Sequence, residues 1–310
     1  MTRKPFFQDP AMLGAAMVFL CGILWGTIGP FIRTMGELGA SVYLTSFLRM
    51  AFASAILAGL TARIYGTASF RVSRRTLLFC IPLGVIGMGV NCILYCWAVE
   101  TAGISISAVL LNIAPVATAV MARLFFSETI TGIKCAALAV NITGCVLTAT
   151  GGALDLSAFS LFGALAAAGS GLCYALCIII ARFSESDTNA YVLSTYSDFF
   201  AALFLLLFLV PGDLPAMGDP RVLFLGAAYA ALPTALAYLL FYEGIARMKD
   251  TSLVPVIASM ETVVAVLLGV TFYGDTLSFV HLTGIVLVLS SIALLNLYGR
   301  PRLRKQSQTV

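Results

Sequence analysis

The sequence predicts an all-α integral membrane protein in which ten transmembrane helices form two inverted five-helix repeats. Three observations carry that expectation. Of 310 residues, 60% are hydrophobic and 10% are charged, with a mean hydropathy of +1.01, whereas a soluble chain carries about a quarter charged residues. The apolar residues gather into ten runs of helix length. Those runs then recur along the chain at a nearly constant offset.

The runs cover residues 11–32, 43–62, 77–98, 104–124, 133–150, 159–181, 191–210, 222–242, 252–273 and 279–298. A span needs about 20 apolar residues, so ten spans use roughly 200 positions and leave no room for a separate soluble domain. Strands of a membrane barrel would be half as long and would alternate polar with apolar residues, which AALFLLLFLV does not. The first run follows a basic start, MTRKPFFQDP, as in a signal peptide, but its length and the nine runs behind it read as a retained span. The fourth carries Pro115 at mid-span, and the ninth carries Pro255, which predicts a bend toward its cytoplasmic end. Glu128 and Asp275 precede the fifth and tenth runs, where acidic side chains complement the positive helix end.

Basic residues set the orientation. With both termini in the cytoplasm, fifteen of the eighteen Lys and Arg residues fall inside; Arg33 and Arg221 fall outside, and Arg49 lies within the second span. The net charge of +4 is too small and too dispersed for a nucleic-acid partner. Eight cysteines lie in apolar stretches, and Cys92/Cys96 and Cys173/Cys177 have a spacing a metal could use, but His281 is the one histidine. Core packing is therefore expected, with no metal and no cofactor.

The repeat is read by offset. A shift of 149 aligns Gly14 with Gly163, Gly22 with Gly171, Trp25 with Tyr174 and Arg33 with Arg182. Further along, a shift of 147 aligns FFSETI with FYGDTL and Tyr95 with Tyr242. Five spans per repeat is an odd number, so the halves cross the membrane in opposite directions, which is the basis of alternating access. The chain divides into a cytoplasmic tail (1–10), a first repeat (11–150), an external linker (151–158), a second repeat (159–298) and a basic cytoplasmic tail (299–310).

GILWGTIGPFIR in the first span, SAVLLNIAPVATAVMARLFFSETI in the fourth and ASMETVVAVLLGVTFYGDTL in the ninth resemble the EamA-type transporters of the drug/metabolite transporter superfamily. The resemblance covers about residues 11–298. It implies ten helices in two inverted halves and transport of small metabolites, often amino acids or their derivatives. The sequence departs from the family at Thr262, where a proline commonly follows the glutamate, at Ser127, where glycine is preferred, and at Asp275, which replaces a glutamate.

Polar residues at depth are the candidate site. Helix rise puts Glu261 roughly 13 Å and Asn112 about 12 Å into their spans, near the midplane. Glu261 reads as a cation-binding or proton-coupling group, or as a structural carboxylate. Asn112 either orients a substrate or ties helices together. Asn91 and Tyr95 lie four apart, as do their counterparts Tyr238 and Tyr242, so each pair lines one helix face. Asn91 and Tyr238 are the deeper members and are expected to contact substrate. Tyr95 and Tyr242 fit outer and inner gates, or interfacial anchors. Trp25 and Tyr174 occupy matched places beside glycines, as an aromatic wall or as plain helix packing. Arg49 and Asp198 are matched too, at depths that argue against direct contact; Arg49 either attracts a carboxylate substrate or snorkels to the outer interface, the latter being favoured, and Asp198 is expected to cap or bond locally.

The chain is thus expected to be a secondary transporter of the inner membrane, not an enzyme, moving an amino acid or similar compound outward. Import of an amine, nucleobase or sugar-like solute on the same fold, and a non-transporting assembly partner, are the alternatives. Proton coupling and a homodimer are both compatible with the sequence. No GxxxxGK[ST] element is present, so ATP does not drive it directly.

Overall fold

The computed structural model describes residues 9–152, 160–184, 188–274 and 277–298. The outer parts of both tails, the linker from residue 153 and Asp275 lie outside the described residues. Ten apolar helices follow one another among the described residues: α1 (Pro10–Glu37), α2 (Val42–Tyr65), α3 (Arg74–Ala98), α4 (Ile113–Phe126), α5 (Gly132–Thr150), α6 (Leu161–Ser184), α7 (Ala190–Phe208), α8 (Pro220–Arg247), α9 (Thr251–Phe272) and α10 (Phe279–Leu295). Eight are long and apolar enough to cross a membrane; α4 is shorter, and the helical backbone of α10 continues to Tyr298. Large apolar side chains such as Leu124, Leu207, Phe224 and Phe279 stand on the outer surface, a belt that needs lipid rather than water. This is an all-α, multi-pass membrane protein.

Helical backbone continues past α3 to Leu111, but it is not straight. Leu94 packs on Gly169 of α6, and the Leu111 carbonyl packs on Gly171 two residues further along. A straight helix would hold Leu94 and Leu111 about 25 Å apart, so the chain turns back between them and α3 and α4 both lie along α6.

The breaks in the helices have local causes, and all but the one in α1 have a partner in the other half. In α1 the backbone breaks at Thr27, where Pro30 supplies no N–H; the Thr27 hydroxyl donates to the Leu24 carbonyl at 2.6 Å. A π-helical turn spans Leu83–Val90 after Pro82 in α3, and another spans Ala231–Leu236 around Pro233 in α8. The wider turn leaves carbonyls without their usual donor, and the Thr234 hydroxyl answers one by donating to the Tyr229 carbonyl at 3.1 Å. The helix before α4 ends at Asn112, and α9 is interrupted at Ser259, 147 positions later.

That last break corrects the expected bend at Pro255. Pro255 sits in the first turn of a short helix, Val254–Ala258, where proline is tolerated. The interruption falls at Ser259 although no proline follows Glu261. The Ser259 hydroxyl donates to the Val256 carbonyl at 2.6 Å and accepts from Asn141 Nδ2 at 2.7 Å. Those side-chain bonds replace the proline as the device that holds the break.

Contacts between helices are reciprocal. A Cβ on Gly22 of α1 would stand 2.7 Å from the Ala258 carbonyl of α9, and one on Gly171 of α6 would stand 2.8 Å from the Leu111 carbonyl. The two contacts join matched residues of opposite halves. In the same way α1 packs on α8 and α6 on α3, while α2 pairs with α7 and α5 with α10. At the α5–α10 crossing a Cβ on Gly144 would stand 2.8 Å from the Val288 amide nitrogen and 2.9 Å from the Gly284 carbonyl, a backbone approach only small residues permit. The largest core cluster draws Val18, Cys21, Met50, Leu83, Ile178, Leu205, Phe241 and Ile257 from helices of both halves.

The helix starts also match. Thr131 caps α5 by accepting from the Lys134 amide at 3.3 Å, and Ser278 caps α10 by accepting from the His281 amide at 3.3 Å. Glu128 does cap a helix, but a different one from that expected. Its carboxylate accepts from the Thr251 and Ser252 amides at 2.7 and 3.1 Å, so it holds the start of α9 in the other half. Thr131 already supplies α5, and the α4–α5 turn carries Glu128 across to α9. Beside it the nearly buried Lys134 ammonium pairs with Asp250 at 3.0 Å.

After α4 the chain turns at Ser127, whose φ is +54°, and after α9 it turns at the matched Gly274, whose φ is +71°. Glycine adopts this left-handed conformation freely, whereas serine in it costs about 1 kcal/mol. Ser127→Gly is therefore expected to raise the melting temperature of the detergent-solubilised protein. A lower melting temperature would show that the serine side chain stabilises this turn.

Candidate functional site: a buried aromatic cluster between the halves

The π turns place the centre of the molecule. Asn91 directly follows the one in α3, and Tyr238 lies just beyond the one in α8. Each turn shifts the helix register and so re-aims the residues after it. Tyr238 enters a cluster of five rings with Trp25 of α1, Tyr174 of α6, and Phe241 and Tyr242 of α8. Trp25 is the hub, its centroid 5.4 Å from Tyr238, 6.0 Å from Tyr174 and 4.9 Å from Phe241, mostly edge to face, a favoured geometry for aromatic pairs. Tyr238 and Tyr242 stack at 5.7 Å. Trp25 and Tyr238 are each 8% exposed, Tyr242 is 3% exposed and Phe241 is fully buried, while Tyr174 is partly buried, so the cluster is largely closed to solvent.

The structure therefore brings together Trp25, Tyr174, Tyr238 and Tyr242 of the eight residues singled out by sequence. Phe241 is the member that sequence reasoning missed; its signal was a position three residues beyond Tyr238 on the same helix face. Glu261 lies in the first turn after the Ser259 break, within electrostatic reach of Tyr95, Tyr174 and Cys21. Asn112 stands at the matched break before α4. Asn91 joins α3 to α6, its Oδ1 accepting from the Ser170 hydroxyl at 2.5 Å and its Nδ2 donating to the Gly87 carbonyl at 3.3 Å.

Two charged residues lie differently from expectation. Arg49 does not snorkel: its Nη1 donates to the Tyr229 hydroxyl at 2.7 Å, and the guanidinium lies 5.2 Å from the Tyr229 ring centre. Tyr229 is itself stacked on Phe31 at 5.1 Å, which fixes this partner beneath the arginine. Asp198 is fully buried, and neither carboxylate oxygen has a hydrogen-bond partner, so it makes no local cap. The two charges make no ion pair with each other, as their depths implied. Cys177 stands beside the Tyr242 hydroxyl, which has no hydrogen-bond partner. Among the described residues no three His, Cys, Asp or Glu side chains gather as metal ligands.

A multi-pass helical membrane protein with a closed, ring-lined centre shared by both halves of the chain has the build of a small-molecule carrier. The comparisons name the kind. The chain belongs to the EamA-like transporter family, whose profile matches twice, at residues 12–150 and 161–297. An uncharacterized transporter of Archaeoglobus fulgidus is 26% identical over 280 residues, which span 90% of this chain and 94% of that one. A crystal structure superposes with a TM-score of 0.78 at 18% identity, covering 93% of this chain and 99% of the other; that likeness concerns the fold. The protein is thus a membrane transporter of small molecules and not an enzyme.

The α9 break that presents Glu261 depends on Asn141, which is fully buried and donates to Ser259 at 2.7 Å and to Ser291 at 3.0 Å. Asn141→Leu leaves both hydroxyls without that donor and is expected to cost about 1–3 kcal/mol, read as a fall in melting temperature. An unchanged melting temperature would mean that the break stands without this brace.

Proposed function

We propose that the protein is a secondary transporter of the inner cell membrane that moves a small amphipathic metabolite, an amino acid or similar compound, outward by alternating access. The observation that carries this reading is the closed aromatic cluster built from both halves. A solute reaches it only when the helices around it part. The reciprocal contacts of α1 with α8 and α9, and of α6 with α3 and α4, offer two equivalent partings, one toward each face. All ten helices then count as spans, in inverted repeats at 11–150 and 159–298, and the basic residues put both termini in the cytoplasm. The outward direction rests on the family resemblance.

In this reading Trp25, Tyr174 and Tyr238 form the wall against which the apolar part of the solute lies, with Asn91, Asn112 and Glu261 as polar contacts. Tyr95 closes the outer side and Tyr242 the inner. Glu261 is the proton-coupling group, and the titratable groups near it are Tyr95, Tyr174, Cys21 and Cys145.

Purified protein in liposomes tests this directly. Uptake or efflux of amino acids is expected to require the protein and to fall at least tenfold in Trp25→Ala. Glu261→Gln is expected to flatten the pH dependence of transport. Equal, pH-dependent transport by wild type and Glu261→Gln would remove the glutamate from coupling. If single cysteines beside the cluster label equally from both sides in Tyr95→Ala, Tyr242→Ala and wild type, the gate roles are wrong.

A further inference from the structure

The two faces of the molecule are not held alike. At the face where α4, α6 and α8 end, three polar ties join the α4–α6 side to the α8–α9 side. After α4, the Glu128 carboxylate accepts from the Thr251 and Ser252 amides of α9 at 2.7 and 3.1 Å. At the start of α5, one short turn later, the nearly buried Lys134 ammonium donates to Asp250 at 3.0 Å and to the Ser252 hydroxyl at 3.4 Å. From the end of α6, Arg182 Nη1 donates to the Ile245 carbonyl in the last turn of α8 at 3.2 Å. Each tie has a charged partner, which makes the stronger kind of hydrogen bond.

Matched positions at the opposite face differ. At the offset of 147, Lys134 corresponds to His281 and Asp250 to Gly103, so that ion pair has no equivalent there. The His281 ring meets the cap of its own helix instead, with Nδ1 2.8 Å from the Ser278 hydroxyl. Arg33, which corresponds to Arg182, pairs with Glu37 on its own helix at 3.6 Å, and both side chains are exposed. Asp275, the counterpart of Glu128, lies outside the described residues. A bond between the halves is present at this face, from the Ser41 amide to Asp213 at 3.3 Å. It joins the α1–α2 and α7–α8 connections, which lie with α1 and α8 on one side of the parting. Packing follows the ties: Tyr242, toward the tied face, is buried, whereas its counterpart Tyr95 is half-buried.

We propose that Glu128, Lys134 and Arg182 form a latch with Asp250 and the adjoining ends of α8 and α9, and that the empty carrier therefore rests with its inner face shut and opens outward more readily. This rests on the alternating-access reading, in which the tied face is the cytoplasmic one, and adds which of the two states the empty protein prefers. Inner opening must break all three ties. Opening hydrates the separated charges, so each tie contributes modestly. Together they need supply only about 1.4 kcal/mol for a tenfold preference.

Native cysteines report the two openings. Cys177 lies on α6 seven residues before its inner end and is buried beside Tyr242. Cys96 adjoins Tyr95 near the outer end of α3 and is also buried. The full-length protein in inside-out or right-side-out membrane vesicles is treated with a membrane-impermeant methanethiosulfonate, and peptide mass spectrometry identifies the modified cysteine. Cys177 of the wild type is expected to react slowly from the inner face. In Lys134→Met and in Asp250→Asn its rate is expected to rise at least tenfold, while the rate of Cys96 from the outer face does not rise. Combining Lys134→Asp with Asp250→Lys is expected to return Cys177 toward the wild-type rate. Glu128→Gln leaves the ion pair in place, is expected to give a smaller rise, and serves if the charge variants do not fold.

An unchanged Cys177 rate in the folded variants would overturn the latch. So would an equal rise at Cys96, which marks general loosening rather than release of one face. If a solute still exposes Cys177 and Cys96 in turn from opposite faces, alternating access stands and the latch alone falls. If neither cysteine reacts with or without solute, the transport reading falls with it.

Discussion

Lipid offers no hydrogen bonds, so every backbone or side-chain polar group that leaves a regular helix inside the bilayer must find its partner within the protein. That constraint organises this molecule. Where α1 breaks, Thr27 takes the freed Leu24 carbonyl. In α8, Thr234 reaches five residues back to Tyr229. In α9, Ser259 takes the Val256 carbonyl and is itself held by Asn141. These three breaks are satisfied on the spot by a hydroxyl or amide.

The exceptions then become informative. Apart from Thr118 and Thr251, the buried side-chain atoms without partners among the described residues belong to Thr45, Arg49, Tyr174, Ser194, Ser197, Asp198 and Tyr242, on α2, α6, α7 and α8. A chain that answers its strained backbone so thoroughly elsewhere leaves polar capacity unmet beside its ring cluster. In a carrier such groups can add hydrogen bonds to a solute, beside the apolar surface the rings offer it. The cost is kept within the core, while cross-half contacts such as Lys134 with Asp250 and Glu128 with the start of α9 hold the periphery.

Much of this was legible in the sequence. Composition gave a membrane protein and run length gave helices, and the glycines matched by the offset of 149 prove to be sites of close helix approach, Gly22 on Ala258 and Gly171 on Leu111, although the partners were not legible. Trp25, Tyr174, Tyr238 and Tyr242 were identified by their matched positions, and they meet. The π turns were not legible, because no residue pattern distinguishes a turn of five residues from one of four; the only trace was Pro82 and Pro233. The Ser259 break was hidden for a related reason, as its cause is a bond from another helix rather than a proline. Arg49 was misjudged because its partner, Tyr229, is 180 residues away, and Glu128 because a loop carried it to a helix it does not precede. Local signals predict local structure, whereas these features depend on tertiary contact.

The central claim is that two halves trade places around one shared cluster, so that opening at one face is coupled to closing at the other. Spin labels report it most directly. One pair would join Leu161 at the start of α6 to Arg221 near the start of α8, the other Phe125 at the end of α4 to Lys249 beyond α8, all four at exposed positions. A solute that raises the melting temperature is predicted to shift the two distances in opposite directions, one shortening as the other lengthens. Distances that move in the same direction, or that stay fixed while the solute is bound and transported, would contradict alternating exchange between the halves.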